Sequence, residues 1–309
     1  MTSRVAIVAP VHNRREITLQ CLRSLSKIRR DAFEVSIYIV DDGSSDGSSE
    51  AIREQFPSVN LIRGSGELWY TEGTNVAIRA ALRDEADYVL AINDDAVFDS
   101  DFLTYLLVTA KRHPRSVVGP LLLLWDQPHR LFQTAPVWRT LGGGWRHWYQ
   151  QTVWTVPSAP WEVELIVGNC VLYPASAFQD CGLMDSRRFP NFGDAEFTPR
   201  LKRAGYKLII DPRSRVFCQP NAIPKRLRDK SATKLFRELI LDLKHPANLT
   251  RVFLSHVSGG PSVFQGVLAF VVLLAKTGLQ ALRSGDSEVP TRREPPLTEV
   301  FASYVLDRK

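Results

Sequence analysis

Two hydrophobic rhythms alternate along the first half of the chain. Short runs that are almost continuously apolar, "RVAIVAP" from Arg4, "FEVSIYIV" from Phe33, "VNLIRG" from Val59, "YVLAIND" from Tyr88 and "SVVGPLLLL" from Ser116, read as buried strands. Between them, apolar residues return at helical spacing, as Ile17, Cys21, Leu22 and Leu25 do in "REITLQCLRSLSKI". Further helices are predicted for "SEAIREQF", with Asp46 or Ser48 as cap, for "NVAIRAALRD" after a glycine-containing loop, and for "DFLTYLLVTAKRH", with Asp99 or Ser100 as cap. Strands alternating with helices in this way predict a parallel sheet covered on both faces. Later, "VELIVGNCVLYP" reads as a strand, "DAEFTPRLKRAG" as a helix ended by Gly205, and "YKLIIDP" and "SRVFCQ" as two more strands.

Two stretches break the rhythm. Residues 125 to 165 hold six of the seven tryptophans around a Gly142-Gly143-Gly144 turn. They suit an irregular hairpin packing aromatics on the sheet, or an aromatic wall for a sugar or lipid acceptor. From Asn221 the alternation stops. "KRLRDKSATKLFRELILDLKHPANLTRVFLSHV" reads as two basic amphipathic helices broken near Pro246, followed by an apolar segment from Val263 and a charged, proline-containing tail, "RSGDSEVPTRREPP". We therefore expect one domain over residues 1–222 and a helical appendage over 223–309, serving a membrane surface or a second copy of the chain. The uninterrupted apolar core, Val267 to Ala275, ends at Lys276. It is roughly 14 Å long as a helix, against the ~30 Å that a membrane span requires.

Charge and cysteine usage narrow the class. A net charge of +6 favours an anionic partner, but the basic residues are spread out, which speaks against nucleic acid. Cys21, Cys170, Cys181 and Cys218 show no C-x-x-C spacing, which argues against a zinc knuckle and suits a reducing, cytoplasmic setting. "MTSRVAIVAPVHNRRE" is too short in apolar residues for an export signal.

The chemistry gathers at strand ends. "PVHNR" follows the first strand, "DDGSSDG" the second and "NDDA" the fourth, and ligands of such sheets bind at that edge. "DDGSSDG" is no calcium loop, because Arg53 stands where a bidentate Glu is needed. No G-x-G-x-x-G follows the first strand and no phosphate-binding P-loop is present. Asp94 and Asp95 are adjacent carboxylates that repel unless a cation joins them. One carboxylate plus a diphosphate is a common way to hold Mg²⁺ or Mn²⁺. Bland roles exist beside these: an Asx turn at 41–47, a capping loop at 93–95 and an N-cap at Asp194.

With these motifs in order, the chain resembles the family-2 inverting glycosyltransferases of the GT-A fold, from about Arg4 to Gln219. The motifs are "VAIVAPVHNR", "IVDDGSSDGS", "GELWYTEGTNVAIRAAL", "YVLAINDDA" and "GNCVLYPASAFQDCGLMDSRRFPNFGDAEFTPRLKRAGYKLIIDP". The loop is most like that of bacterial rhamnosyl- and other polysaccharide-building transferases. The resemblance implies that Pro10, His12, Asn13 and Arg14 line a nucleoside pocket, and that Asp41 or Asp42 contacts the base. It places Arg63, Gly73 and Asn75 near the nucleotide, Asn93 and Asp94 near ribose and phosphate, and Asp95 on Mn²⁺ or Mg²⁺. Asp194 would be the general base, and Trp69, Gly168, Asn169 and Glu196 would face the acceptor.

Two departures stand out. Gly193 replaces the family's usual acidic neighbour of the base, and Cys218 or Gln219 stands where a metal-binding His is frequent. The Gln-x-x-Arg-Trp of processive members is absent, since no Trp follows Trp161. The implied activity is a non-processive transfer from a nucleotide-diphospho-sugar, UDP- or dTDP-linked, to a glycan or lipid-linked glycan, in the cytoplasm or on the inner membrane face. The other reading is a catalytically weak nucleotide-sugar-binding or scaffold protein of the same fold. A nucleotidyltransferase would want a glycine-rich loop after the first strand, and "APVHNRRE" has none.

Overall fold

The computed structural model describes residues 2–30, 32–146, 151–219, 232–242, 245 and 248–283. The charged tail, the basic run 220–231 and Trp148 lie outside them. The sheet grows from β1 (Ser3–Val11), which pairs in parallel with β2 (Phe33–Asp41) on one side and β4 (Tyr88–Ile92) on the other; β3 (Asn60–Arg63) joins β2. Beyond β4 comes β10 (Cys170–Pro174), antiparallel to both β4 and β6 (Ser116–Leu124). β11 (Lys207–Cys218) runs parallel to β6 and carries β5 (Ala96–Phe98) and β9 (Trp161–Glu162) antiparallel. β7 (Val137–Arg139) and β8 (Gly144–Arg146) form a separate hairpin.

Alternating side chains of the central strands feed two cores. Ile7, Leu90 and Leu172 pack under α1 (Arg15–Leu25), α2 (Ser48–Gln55) and α4 (Phe102–Arg112). Val8, Ala91 and Val171 pack under α3 (Trp69–Arg83), α5 (Ala175–Cys181) and α6 (Gly193–Arg203). Both faces are therefore covered, as the apolar runs predict.

The α/β sheet is parallel through β3-β2-β1-β4 and between β6 and β11, as the mostly parallel sheet of the GT-A fold requires, with β5, β9 and β10 antiparallel. β10 re-enters after the long excursion from 125 to 169 and runs against its neighbours, a direction that local periodicity does not encode. The two strands expected at the end are one strand, β11, bulged between Asp211 and Arg215. β5 and α5 have only three and seven residues, too few to show a period. α3 begins at Trp69, six residues before the predicted start at Asn75. Its cap is remote: the Asp42 carboxylate accepts N–H bonds from Leu68 (2.8 Å) and Trp69 (3.0 Å). At α4 the N-cap is Asp101, whose N–H donates to Asp99 Oδ1 (3.2 Å). At α2 it is Gly47 at φ 81°, with Asp46 Oδ1 accepting from Ser48 N (3.1 Å).

After β11 the described chain is helical. α7 (Ala232–Phe236) runs into a wider turn over Arg237–Leu241, and α8 (Leu249–Gly259) and α9 (Val263–Arg283) form an antiparallel-type pair. Phe253 of α8 meets Phe270 of α9 edge-on at 5.3 Å. Trp138 stacks edge-to-face on Trp145 (5.2 Å) and faces His256 of α8 (5.9 Å). These two tryptophans seat α8 and α9 on the sheet domain. Trp154 is exposed and stacks on His129. Among the described residues, none of the tryptophans in 125–165 lines the cleft described next.

Candidate active site

Strand order reverses between β1 and β4, and a cleft of about 310 Å³ opens there at the carboxyl ends of the strands. Pro10, Val11, His12 and Arg14 line it from the end of β1, and Asp42 from the end of β2. Gly66, Trp69 and Tyr70 come from the start of α3, and Asn93 and Asp94 from the end of β4.

The adjacent carboxylates already meet a cation. Arg14 donates Nη1 to Asp94 Oδ1 and Nη2 to Asp95 Oδ2, each at 2.8 Å, so one guanidinium fork bridges both acids. Asp94 is buried and also accepts from Thr18 Oγ1 (2.9 Å). Burial pushes its pKa up to about 6, opposed by Arg14 and reinforced by Asp95. Asp95 is less enclosed.

Asp42 organises the opposite wall. Besides capping α3, its carboxylate accepts from Gly66 N (2.7 Å), and His12 Nδ1 donates to its carbonyl (2.7 Å). That tautomer leaves His12 Nε2 to accept from Asn13 Nδ2 (3.0 Å). Asn13, at φ 50°, ties the β1 loop to Ser44 and Ser45 and stands outside the cleft lining. Asp41 is spent on its own turn, accepting from Ser44 N (2.9 Å) and Ser49 Oγ. Trp69 sits on the cleft wall at φ 60°, a strained conformation for a bulky residue, held by its N–H bond to Asp42.

Asp194 joins this arrangement from the first turn of α6. Its Oδ2 accepts from Gly168 N (3.0 Å), and Gly168 O accepts from Tyr70 OH (3.2 Å). The next residue, Asn169, accepts from Asn93 N through its carbonyl (3.0 Å). The loop 168–169 thus links Asp194 to the turn that carries Asp94 and Asp95. Tyr70 feels both ends: its pKa is pushed up by burial first, then by Asp194 and, more weakly, by Asp95. Desolvation pushes the Asp194 carboxyl above the ordinary carboxylate range, while N–H donors from Gly168, its own backbone and Ala195 pull it back.

Other predicted positions stand aside. Gly73 packs on Pro10, where a Cβ would come within 2.7 Å of the ring. Asn75 is buried and exchanges bonds with the Met184 backbone, donating Nδ2 to its carbonyl (2.9 Å) and accepting its N–H (3.2 Å). Arg63 is exposed at the end of β3, outside the cleft lining. Glu196 is engaged by Arg200 (2.8 and 3.0 Å).

Both departures acquire physical reasons. A Cβ at Gly193 would press on the Thr71 side chain (3.0 Å to Oγ1) and on Met184 (3.1 Å), so no acidic side chain fits beside Asp194. Cys218 is buried, and burial followed by the Asp95 charge pushes its thiol far up. It remains a neutral thiol, a poor donor for a hard cation. Among the described residues no group of three His, Cys, Asp or Glu could cage a metal. The donor set suits a divalent ion only where the carboxylate of Asp95 is supplemented by oxygens of a ligand and water.

Sequence reasoning did not single out Tyr70, Thr18 or Thr71. Tyr70 lay inside the quoted motif "GELWYTEGTN", but its partner Gly168 is 98 residues away.

The model of glycosyl transferase family 2 matches residues 6–180, more than half of the chain. The chain belongs to that family. The chain is 28% identical over 206 residues to the N-acetylglucosaminyl-diphospho-decaprenol L-rhamnosyltransferase of Mycobacterium tuberculosis. That alignment covers 59% of this chain and 66% of the relative, so just under two-thirds of the relative's length is matched. The mannosyltransferase PcManGT from Pyrobaculum calidifontis, solved with GDP-Man and Mn²⁺, superposes with a TM-score of 0.52 at 17% identity, covering 91% of this chain and 81% of that one. S. aureus TarS 1-349 gives 0.54 at 13% identity, covering 91% and 92%. At these identities the likeness establishes the GT-A fold.

Proposed function

We propose that this glycosyltransferase moves a sugar, with inversion at the anomeric carbon, from a nucleotide-diphospho-sugar to a hydroxyl of a lipid-linked glycan. One observation supports the reading: Asp194 holds the Gly168 N–H, the adjacent Asn169 carbonyl holds the Asn93 N–H, and Asn93 and Asp94 line the cleft, so Asp194 stands one loop behind that lining. An inverting displacement needs a base on the face opposite the leaving group, and Asp194 is the carboxylate suited to take the acceptor proton. Its raised pKa strengthens it as a base relative to an ordinary Asp. His12, Asp42 and Pro10 would wall the nucleoside, with Trp69 and Asn93 toward the sugar. Arg14 would hold Asp94 and Asp95 in place. Asp95 would bind Mn²⁺ or Mg²⁺ together with diphosphate oxygens and water, and that ion would neutralise charge on the leaving diphosphate.

The named rhamnosyltransferase supports L-rhamnose as the sugar and a diphospho-decaprenol-linked N-acetylglucosamine as the acceptor class; the donor we propose is UDP- or dTDP-linked. The PcManGT complex supports a divalent ion. Residues 1–222 would form the catalytic unit and 223–309 a helical appendage working at the inner membrane face.

The test is transfer itself. The full chain is incubated with UDP-, dTDP-, GDP- and CMP-sugars, Mn²⁺ and a short-chain diphospholipid-linked N-acetylglucosamine, and the product anomer is read by NMR. The reading expects one donor to give a single sugar added with inverted configuration. A retained configuration refutes it, as does donor affinity without sugar release, which would make the chain a nucleotide-sugar binder.

A further inference from the structure

α9 presents its apolar side to solvent. Val263, Phe264, Val267, Val271, Leu274 and Leu279 are all exposed, Phe264 at 75%, and they recur at the spacing of one helical face. The opposite side is occupied: Ala269 is fully buried, Phe270 packs on Phe253 and His256, and Leu273 lies against Gly143. Lys276, the only charged residue from Val263 to Leu282, is exposed on the flank of α9 and leans on the neighbouring turn, donating Nζ to the carbonyls of Leu141 (3.0 Å) and Gly142 (3.3 Å). This inverts the pattern of a water-facing helix. Among the described residues no helix is long and apolar enough to cross a membrane, so a transbilayer segment does not explain the face.

The turn that receives Lys276 supplies a second observation. Arg139 and Arg146 flank it, with Arg146 Nη2 donating to Gly142 O, and the tip residue, Leu141, is 76% exposed. Among the described residues, neither these two arginines nor Lys276 pairs with a carboxylate. Three cations around a protruding leucine, beside a four-turn apolar face, match an anionic bilayer surface: acyl chains take the apolar side chains and lipid phosphates take the cations. A two-fold pairing of chains on this face would bring both sets of cations into one interface, where like charges repel.

We propose that the exposed face of α9 and the basic turn Arg139–Arg146 together form a membrane-docking surface that lays α9 along the interface of a bilayer containing anionic lipid. α8 connects this surface to the site, since Gly259 at its end lies close to Ala195, the neighbour of Asp194. Docking would therefore set the height of Asp194 above the bilayer. The inference deepens the lipid-linked-acceptor reading but is tested without acceptor.

The full chain is mixed with phosphatidylcholine vesicles, with and without phosphatidylglycerol and free of any glycolipid, and co-sedimentation is measured. Wild type should sediment with the anionic vesicles. Phe264→Glu/Val271→Glu should lower the partition coefficient roughly tenfold or more, given the apolar area that each side chain buries. Arg139→Glu/Arg146→Glu should abolish the preference for phosphatidylglycerol. Unchanged circular dichroism and donor affinity confirm that the variants fold. The proposal is overturned if wild type stays in the supernatant, if both double variants sediment like wild type, or if the α9 variant turns a light-scattering dimer into a monomer. Vesicle binding without sugar transfer would defeat the acceptor reading alone.

Discussion

Gly168 leaves room for the Asp194 carboxyl. A Cβ there would lie 2.6 Å from Asp194 Oδ2, so Gly168→Ala must displace the very group proposed as base. The expected outcome in steady-state kinetics is a loss of transfer on the order of 10²-fold, the penalty typical of a misplaced catalytic group. Donor affinity measured by calorimetry should hold, because Arg14 and Asp42 are untouched. The raised pKa of Asp194 gives a second test. Its working form is the carboxylate, so kcat should fall as pH drops through that pKa, with the acid limb above the ordinary Asp range; a rate flat down to that range contradicts the assignment. Asp94 and Asp95 were legible in the sequence because carboxylates at strand ends stand out against apolar runs, whereas Asp41 and Asp42 could not be told apart and Asp194 was reached only through the family resemblance. Arg14 was legible as a site residue, but its bridging of both acids was not. Tyr70 was hidden for the same reason: its role lies in a contact made across the fold.

At the scale of elements, α3 shows what local pattern omits. Its first turn looks like a loop because glycine and threonine interrupt the apolar period, and the Asp42 carboxylate that starts it comes from another strand. The helix is then fastened to the loop before α6 by Asn75 and by Thr71, whose Oγ1 donates to Phe189 O (2.5 Å). Asn75→Ala removes both bonds to Met184; the Met184 carbonyl keeps its bond from Ser186 N (3.0 Å), but the buried Met184 N–H loses its acceptor. It should cost about 1–3 kcal/mol, seen as a lower thermal midpoint. Donor affinity should change little, since Asn75 stands behind the cleft; a large affinity loss at unchanged stability would restore Asn75 as a nucleotide contact. The parallel half of the sheet was legible from its continuous apolar strands. The antiparallel entry of β10 was not, because strand direction depends on where the long Trp-containing excursion returns.

Across the whole molecule, the topology draws together acids separated by a hundred residues. β4 delivers Asp94 and Asp95, the 168–169 loop beside β10 reaches over to them, and α6 starts where that loop can hold Asp194. The helical character of the described C-terminal region was legible from the end of the strand–helix rhythm. The region's seating on Trp138 and Trp145 was not, since those residues read equally well as an acceptor wall. The central claim is a division of labour between the cleft, which would hold the donor, and Asp194 behind the 168–169 loop, and a single variant separates them. Asp194→Asn keeps an oxygen for the Gly168 N–H bond but cannot accept the acceptor's proton. Donor affinity and transfer rate measured side by side on Asp194→Asn should show unchanged nucleotide-sugar binding with transfer reduced by about 10²–10⁴-fold. Wild-type turnover in that variant, or loss of donor binding along with transfer, would contradict the account.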